Sequence, residues 1–521
     1  MFRYRNTGVD GTCRTRPQPQ LAPVQLAMAL SLVMRAVVLV VSVFALACGS
    51  VHGPEGACST AADCASSAPF CVDQRCEAHC QVNADCTGAG KSVCASDGAC
   101  VACQVASDCT DAAAPLCTTD NVCVGCLSAA DCTDAAAPVC DATARSCRGC
   151  TADADCSGGV CIEATGTCAP DASVVFLTMM GTDSGTCTRD KPCVTVPYAI
   201  AHAAARKIFH ILGNTLTLSA PVVISSEMTF DGEDTSIFAG GGMSFNVTGT
   251  ASATLEGLHL AAPTTGTTPP AAVNITDTAQ ATLYNDTFVG PTSVSLSTGP
   301  KVLISHSHFG SLDAGGESQI TCNGGQLTVE RNIFETTTVG NFMQCDLTVR
   351  RNRFESASDG SVHLAGGRLL MENNLIIHRD GFNDSIFANT LSTGSTIRFN
   401  TIVNTTAVSS DGAALGCDGS VVVTSNVFAY YSGHPITGSC VTRYSVFDTV
   451  SLTSAGVGNK TADINSIFVN RAGGDYHLSA TSAARGSSEA GLTTMVTDDF
   501  DGNPRPAPAG STADSGAFEA N

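Results

Sequence analysis

The sequence predicts an all-β chain, a parallel β-helix solenoid preceded by a disulfide-rich region of small repeats. Three observations predict it. Charged residues make up 14% and aromatics 5% of the 521 residues, with no Trp and 50 Gly. An average domain carries about 25% charge, so this composition suits Thr, Ser, Val and Asn on strands and turns better than a helical bundle. Twenty of the 28 Cys crowd between Cys58 and Cys168. Beyond residue 171 the Cys thin out and a second repeat begins, one short strand every 20–26 residues, the mark of a solenoid.

The N-terminus reads as an address. The apolar run from Ala36 to Ala47 is twelve residues long. As a helix it would rise about 18 Å, too short for a bilayer core of about 30 Å, but it matches the apolar part of a signal peptide. It ends Ala45-Leu46-Ala47-Cys48-Gly49-Ser50. Small residues before a Cys resemble the lipobox of bacterial lipoproteins, although Ala45 and Leu46 stand in swapped order relative to that pattern. The resemblance implies cleavage after residue 47 and lipid attachment at Cys48, with ordinary secretion as the alternative. Residues 1–47 are thus the expected signal peptide, and 48–57 a lipidated start and short linker. Met34-Arg35 and the apolar run form a complete short signal by themselves, so residues 1–33 also read as a mis-assigned start. The formal charge is −21; removal of 1–47 takes five Arg and one Asp and leaves −25. That balance excludes a basic nucleic-acid footprint.

Residues 58–168 hold five Cys quartets: Cys58/64/71/76, Cys80/86/94/100, Cys103/109/117/123, Cys126/132/140/147 and Cys150/156/161/168. Their starts are 22 to 24 residues apart, and an Asp always precedes the second Cys: Asp63, Asp85, Asp108, Asp131 and Asp155. A unit of this size cannot bury a core and needs staples. Two disulfides per unit fit an oxidising compartment, with three pairings open in each unit. Zinc is the rival, but zinc sites mix closely spaced CxxC pairs or add His, only His79 lies in the region, and the compartment is oxidising. The repeated Asp suits a cap on turn N–H groups better than calcium. The quartets resemble the cysteine-rich repeats of secreted deltaproteobacterial proteins, distantly dickkopf-like. That resemblance implies a stalk or interaction module.

Residues 171–470 carry the coil. Blocks ending in a large apolar residue close at Phe288, Phe309, Phe334, Phe354, Ile376, Ile402, Phe428 and Phe447. Each block alternates apolar and polar residues, the period of a strand. One position holds Asn332, Asn352, Asn374, Asn400 and Asn426. Equivalent residues in a parallel coil stack about 4.8 Å apart, so these Asn form a structural amide ladder with no chemistry of its own. Two residues earlier stand Glu330, Arg350, Glu372 and Arg398, an alternating column that reads as a salt-bridge ladder. Cys322 and Cys345, and Cys417 and Cys440, are each 23 residues apart before consecutive blocks, within reach of a disulfide on stacked rungs. The Asn ladder resembles the right-handed parallel β-helix of the pectin-lyase-like superfamily.

The ends complete the outline. Thr182-Asp-Ser-Gly-Thr-Cys187, Lys191-Pro-Cys193 and an Ala-rich stretch Tyr198–Lys207 resemble the entry to extracellular β-helix proteins. The resemblance implies a Cys187–Cys193 bond and a helix plugging the coil. Residues 471–521 form a tail in which Gly474-Asp-Tyr-His-Leu478, Asp499-Phe-Asp-Gly-Asn-Pro-Arg505 and Asp514-Ser-Gly-Ala-Phe-Glu519 resemble the choice-of-anchor Q group. Asp498-Asp-Phe-Asp-Gly502 resembles part of a calcium loop but lacks the spaced Glu of an EF-hand. No cofactor is expected, calcium at that run aside, and no metal site is assigned.

Function is less legible. One reading is an exported lipoprotein anchored on the bacterial cell envelope, at the outer membrane, whose β-helix binds carbohydrate or a surface protein. A second is a polysaccharide lyase or glycoside hydrolase of the pectin-lyase-like fold. A hydrolase needs paired carboxylates about 5–10 Å apart; no such pair repeats at rung spacing. A lyase needs a base and a counter-charge for a uronate, and Arg331, Arg350, Arg351 and Arg353 are the one basic cluster on the coil. A third is a structural scaffold without catalysis. Tyr430-Tyr431 and Tyr444 offer an aromatic patch. The candidate ligand face is therefore Arg331, Arg350, Arg351, Arg353, Tyr431 and Tyr444, with catalytic residues unassigned.

Overall fold

The computed structural model describes residues 70–520 other than 73–74, 78, 89, 214, 240–241, 262–269, 291, 311–318, 336–339, 357–361, 379–385, 390, 406–412, 430–434 and 449–455. The signal segment, Cys48 and Tyr431 lie outside the described residues. The chain divides into two compact units, residues 1–123 and 124–521.

In the first unit, two full Cys-rich repeats are described. Cys80 bonds Cys94 and Cys86 bonds Cys100; Cys103 bonds Cys117 and Cys109 bonds Cys123. The pairing is first to third and second to fourth. Short 3-10 turns, Asn83–Asp85 and Ala106–Asp108, end on the repeated Asp. Asp85 Oδ2 accepts the N–H groups of Gln81 and Val82 at 2.8 and 3.0 Å. Asp108 Oδ2 does the same for Gln104 and Val105. These bonds hold both carboxyls below their ordinary range, because a charged acceptor is favoured by N–H donors. The Asp is a turn cap.

The second unit begins at Val124, so the last two repeats group with the coil. The reason is apolar packing. Strand Gly159–Ile162 and its partner Thr167–Pro170 supply Val160, Ile162 and Ala169 to a cluster with Val174 and Phe176, the first coil strand. Burying a few such side chains contributes roughly 1.5–3 kcal/mol each.

From Val174 onward, parallel strands wind into one continuous wall. Three faces alternate along each turn. Gln280–Tyr284 and Lys301–Ser305 belong to the first face, Thr287–Val289 and His308–Gly310 to the second, and Val273–Thr276 and Val294–Ser297 to the third. On the second face the block ends stack in register: Phe288 on Phe309, Phe334, Phe354, Ile376, Ile402, Phe428 and Phe447. The first four rings lie 4.5 to 4.9 Å apart in parallel planes, a buried stack that adds to its area burial.

The bend from first to second face is built the same way on the rungs from Asn285 to Tyr444. The residue before the ladder position takes a left-handed conformation: Asn285, His306, Arg331, Arg351, Asn373, Phe399, Ser425 and Tyr444 have φ of 49° to 57°. Such values are costly outside glycine. The ladder holds them in place. Asn332 Nδ2 donates to Asn352 Oδ1 at 3.0 Å, Asn352 to Asn374 at 3.0 Å, Asn374 to Asn400 at 2.8 Å and Asn400 to Asn426 at 3.1 Å. Each Asn carbonyl also accepts the backbone N–H of the rung below it in sequence. Ser307 and Asp286 continue the column at one end, and Ser445 and Asn459 at the other.

Three disulfides lie in the coil region. Cys187 bonds Cys193, Cys322 bonds Cys345 and Cys417 bonds Cys440, with Cα separations of 5.0, 6.2 and 5.5 Å. Phe342, not Cys345, is the strand partner of Cys322, so that bridge runs diagonally across the turn from third to first face. The coil entry is covered by helix Val196–His202. Its Ala199 is buried in the coil core, as is Ala203 just beyond it. The helix begins two residues before the Ala-rich stretch, because Thr195 caps it by accepting from Tyr198 N. It stops short of Lys207, where Ala204 turns left-handed with φ 55°.

Candidate functional site

The corner between first and second faces gathers the coil's chemistry. Immediately before it, the last first-face residues stack as His210, Asp231, Glu256, Tyr284, Ser305, Glu330, Arg350, Glu372 and Arg398. Two segments lie along this edge. At the entry end the fifth Cys-rich repeat reaches it: Ala164 N donates to Glu256 Oε2 at 2.9 Å and Asn285 Nδ2 to Glu163 Oε2 at 3.4 Å. At the far end the C-terminal tail covers it. Asp498 pairs with Arg351 and its carbonyl accepts from Asn373 Nδ2 at 2.7 Å. Glu489 pairs with Arg443 at 2.9 Å, and Ser515 Oγ donates to the Tyr444 carbonyl at 2.9 Å.

The tail motifs fold into a buried knot. Arg505 donates to the carbonyls of Asp514 and Gly516 and pairs with Glu519 at 3.1 Å, with its guanidinium 4.3 Å above the Phe399 ring. Asp499 accepts from Asn503 N and Glu519 N. Asp501 bonds His477 Nε2 at 2.8 Å. The carboxylates of the run that resembles a calcium loop thus each have a protein partner: Asp498 with Arg351, Asp499 with backbone N–H groups, and Asp501 with His477.

Between the two coverings a window of rungs stays open among the described residues, at Tyr284, His306, Glu330, Arg331 and Arg350. The Tyr284 and His306 rings lie 5.0 Å apart at 44°. Arg331 and Arg350 keep 41% and 46% of their side-chain surface exposed. Arg350 donates to Glu330 Oε2 at 2.7 Å, while Arg331 stands 3.7 Å from Glu330 Oε1, beyond hydrogen-bond range. Partial burial, then the Glu163 carboxylate, pushes the Tyr284 phenol up. Partial burial, then the Arg331 charge, pulls the His306 imidazole down. The window therefore offers a neutral aromatic pair beside a weakly paired guanidinium.

The sequence-derived ligand residues do not share one face. Arg331 and Arg351 occupy successive corner positions, but Arg351 is buried beneath the tail, where desolvation lowers its pKa. Arg350 ends the first face, and Arg353 lies on the second, bonded to Glu355 at 2.6 Å. Clustering in sequence became separation in space because the corner turns between residues 350 and 353. Tyr444 is a corner residue three rungs beyond Asn373 and is half-buried, with its ring against Gly458. Sequence reasoning missed Tyr284 and His306. Their signal was positional, since each stands one or two residues before the ladder column.

No protein-family model matches the chain, and no curated protein sequence matches it. Among solved structures, the coil is similar to pectate lyase Pel9A, with a TM-score of 0.42 and 12% identity over 67% of this chain and 96% of that one. It is also similar to Dettilon tailspike protein gp208, with a TM-score of 0.25 and 10% identity over 56% of this chain and 68% of that one. Neither score carries an argument about this chain. The β-helix rests on its own strand register.

Proposed function

We propose that the chain is an exported protein, lipidated at Cys48 and anchored on the bacterial cell envelope, whose β-helix binds a carbohydrate chain at the corner window. The observation that carries this reading is that a partly exposed Tyr284 stands beside exposed His306, Arg331 and Arg350, between stretches where the same edge is covered. Aromatic faces beside hydrogen-bond donors suit sugar rings. The lyase alternative finds less support. Of its four arginines, Arg350, Arg351 and Arg353 hold carboxylates closely, and a net charge near −25 repels acidic polymers at low salt.

The test uses the purified chain on a panel of neutral and acidic polysaccharides. Pull-down reads binding, while unsaturated-product absorbance and reducing ends read cleavage. Binding without product is expected, weakened at least fivefold by Tyr284→Ala or Arg331→Ala. Product formation would replace this reading with the lyase or hydrolase one. Absence of both would leave a scaffold. In cells, labelled palmitate should enter the wild-type chain but not Cys48→Ser; equal labelling would reject the anchor.

A further inference from the structure

We propose that Asp153, His210 and Glu233 form a divalent-metal site, with zinc as its ion, that fastens the fifth Cys-rich repeat to the entry of the coil. Their ligand atoms all lie within 4.8 Å of one another. Each comes from a different structural device. Asp153 opens the 3-10 turn Asp153–Asp155 of the fifth repeat. Its Oδ1 is spent on Cys161 N at 2.8 Å, leaving Oδ2 directed at His210 Nε2, 3.8 Å away. His210 stands on strand Ile208–Ile211, and Glu233 on a bulge where strand Met228–Ala239 slips register between Asp231 and Thr235.

Two further observations point to a ligand. His210 is fully buried, yet its Nε2 has no hydrogen-bond partner. A buried imidazole nitrogen left bare is costly. Its other nitrogen, Nδ1, is bonded to Asp231 Oδ2 at 2.6 Å. A carboxylate behind the imidazole is the arrangement that fixes the tautomer and raises the basicity of a metal-ligating His. Glu233 is held at φ 41°, a strained conformation for a residue with a long side chain. Bulges of this kind re-aim side chains beside functional sites.

The surroundings favour a cation. A cleft of about 230 Å³ is lined by five carboxylates, Asp153, Glu163, Asp231, Glu233 and Glu256. Glu256 is almost fully buried, and its Oε1 has no hydrogen-bond partner. The neighbouring Arg189 is already committed to Asp171 through two bonds of 2.8 Å. Among the described residues, the five carboxylates are therefore faced by His210 and, at longer range, by an Arg189 already paired elsewhere.

The donor set selects the ion. Imidazole with carboxylates suits zinc, whereas calcium takes oxygen ligands. Zinc bonds of roughly 2.0–2.2 Å place tetrahedral donors about 3.4 Å apart, so the 3.8 Å separation needs only a small contraction. Two protein oxygens and one nitrogen leave a fourth position for water or for Glu256. The Cys clusters of the repeats do not compete, because the Cys of the second to fifth repeats are closed as disulfides.

The experiment titrates Zn²⁺ into the full chain, oxidised, shown free of thiols and stripped with chelator. Calorimetry should give one equivalent per chain, and Zn²⁺ should raise Tm while Ca²⁺ at the same concentration does not. Glu233→Gln, at an exposed position, should weaken Zn²⁺ binding at least tenfold with an unchanged circular dichroism spectrum. Asp153→Asn should do the same. His210→Gln should abolish binding; if it fails to fold, the two carboxylate variants decide. Substoichiometric Zn²⁺, wild-type affinity in both carboxylate variants, or a preference for Ca²⁺ would each overturn the site. Glycan binding at Tyr284 and Arg331 is read separately, so either proposal can fail alone.

Discussion

Replacing Asp286 by Asn should stabilise the protein. Asp286 occupies the ladder column, where its N–H donates to Ser307 Oγ at 3.1 Å and its Oδ1 accepts from Leu258 N at 2.9 Å. These are the bonds an Asn makes on later rungs. Its Oδ2 is buried without a partner, and burial pushes the carboxyl well above its ordinary pKa. On later rungs the amide Nδ2 donates to a carbonyl of the preceding rung, as Asn332 does to Ile304 at 2.9 Å and Asn352 to Val329 at 2.8 Å. The corresponding carbonyl for residue 286 is that of Leu255, the strand partner of Leu283. Asp286→Asn would supply the missing donor and remove an acid from an apolar site. Satisfying one buried polar atom is worth about 1–3 kcal/mol.

The sign with pH follows from linkage. A carboxyl whose folded pKa is raised contributes stability that is fully present below the unfolded value of about 3.9 and is lost as pH rises through the folded value. The wild type should therefore lose ground to the variant between pH 4 and pH 7. Urea unfolding of both proteins at the two pH values measures this. A variant that is no more stable at pH 7, or an advantage that is the same at pH 4, would refute the reasoning.

Two further outcomes are expected. Asn374→Ala should cost at least about 3 kcal/mol, because it leaves Asn352 N, Asn352 Nδ2 and the Val349 carbonyl without their buried partner; urea unfolding checks it, and a loss below about 1 kcal/mol would count against the ladder. Asp155 has its pKa lowered to about 2 by its bond to Arg148 and by the Thr151 N–H, so its contribution is present above about 3.9 and lost as pH falls toward 2. A carboxyl NMR titration should show that low value, and Arg148→Met should move it upward.

Legibility in the sequence followed chemistry that repeats. Blocks ending at Phe288 through Phe447 could be aligned because a ring or Ile recurs at the one position that packs inward after the corner. The turns before residue 281 could not. Their ladder positions, Thr235 and Leu258, are strand partners but carry no amide, so the column had no signature there. The left-handed corner was equally hidden, since Asn, His, Arg, Phe, Ser and Tyr all occupy it and the ladder, not the residue, imposes the conformation. His210 and Glu233 escaped notice for a third reason. They are 23 residues apart, and Asp153 lies in a different repeat system, so only winding and docking bring the three together. Asp153 did leave a trace: the same position is Ala106 in the third repeat and Ala129 in the fourth.

The crossed pairing of the Cys-rich repeats has a mechanical consequence. With Cys80 tied to Cys94 and Cys86 to Cys100, a pull applied across the repeat travels by two short routes, along the chain from Cys80 to Cys86 and out through the second bond, or through the first bond and along the chain from Cys94 to Cys100. The segment Cys86–Cys94 is bypassed and bears no load. Unfolding such a repeat under tension releases only a short slack, whereas opening a noncovalent module of the same length would release nearly all of its contour. A row of these units behaves as a leash of nearly fixed length, so tension would change its reach very little.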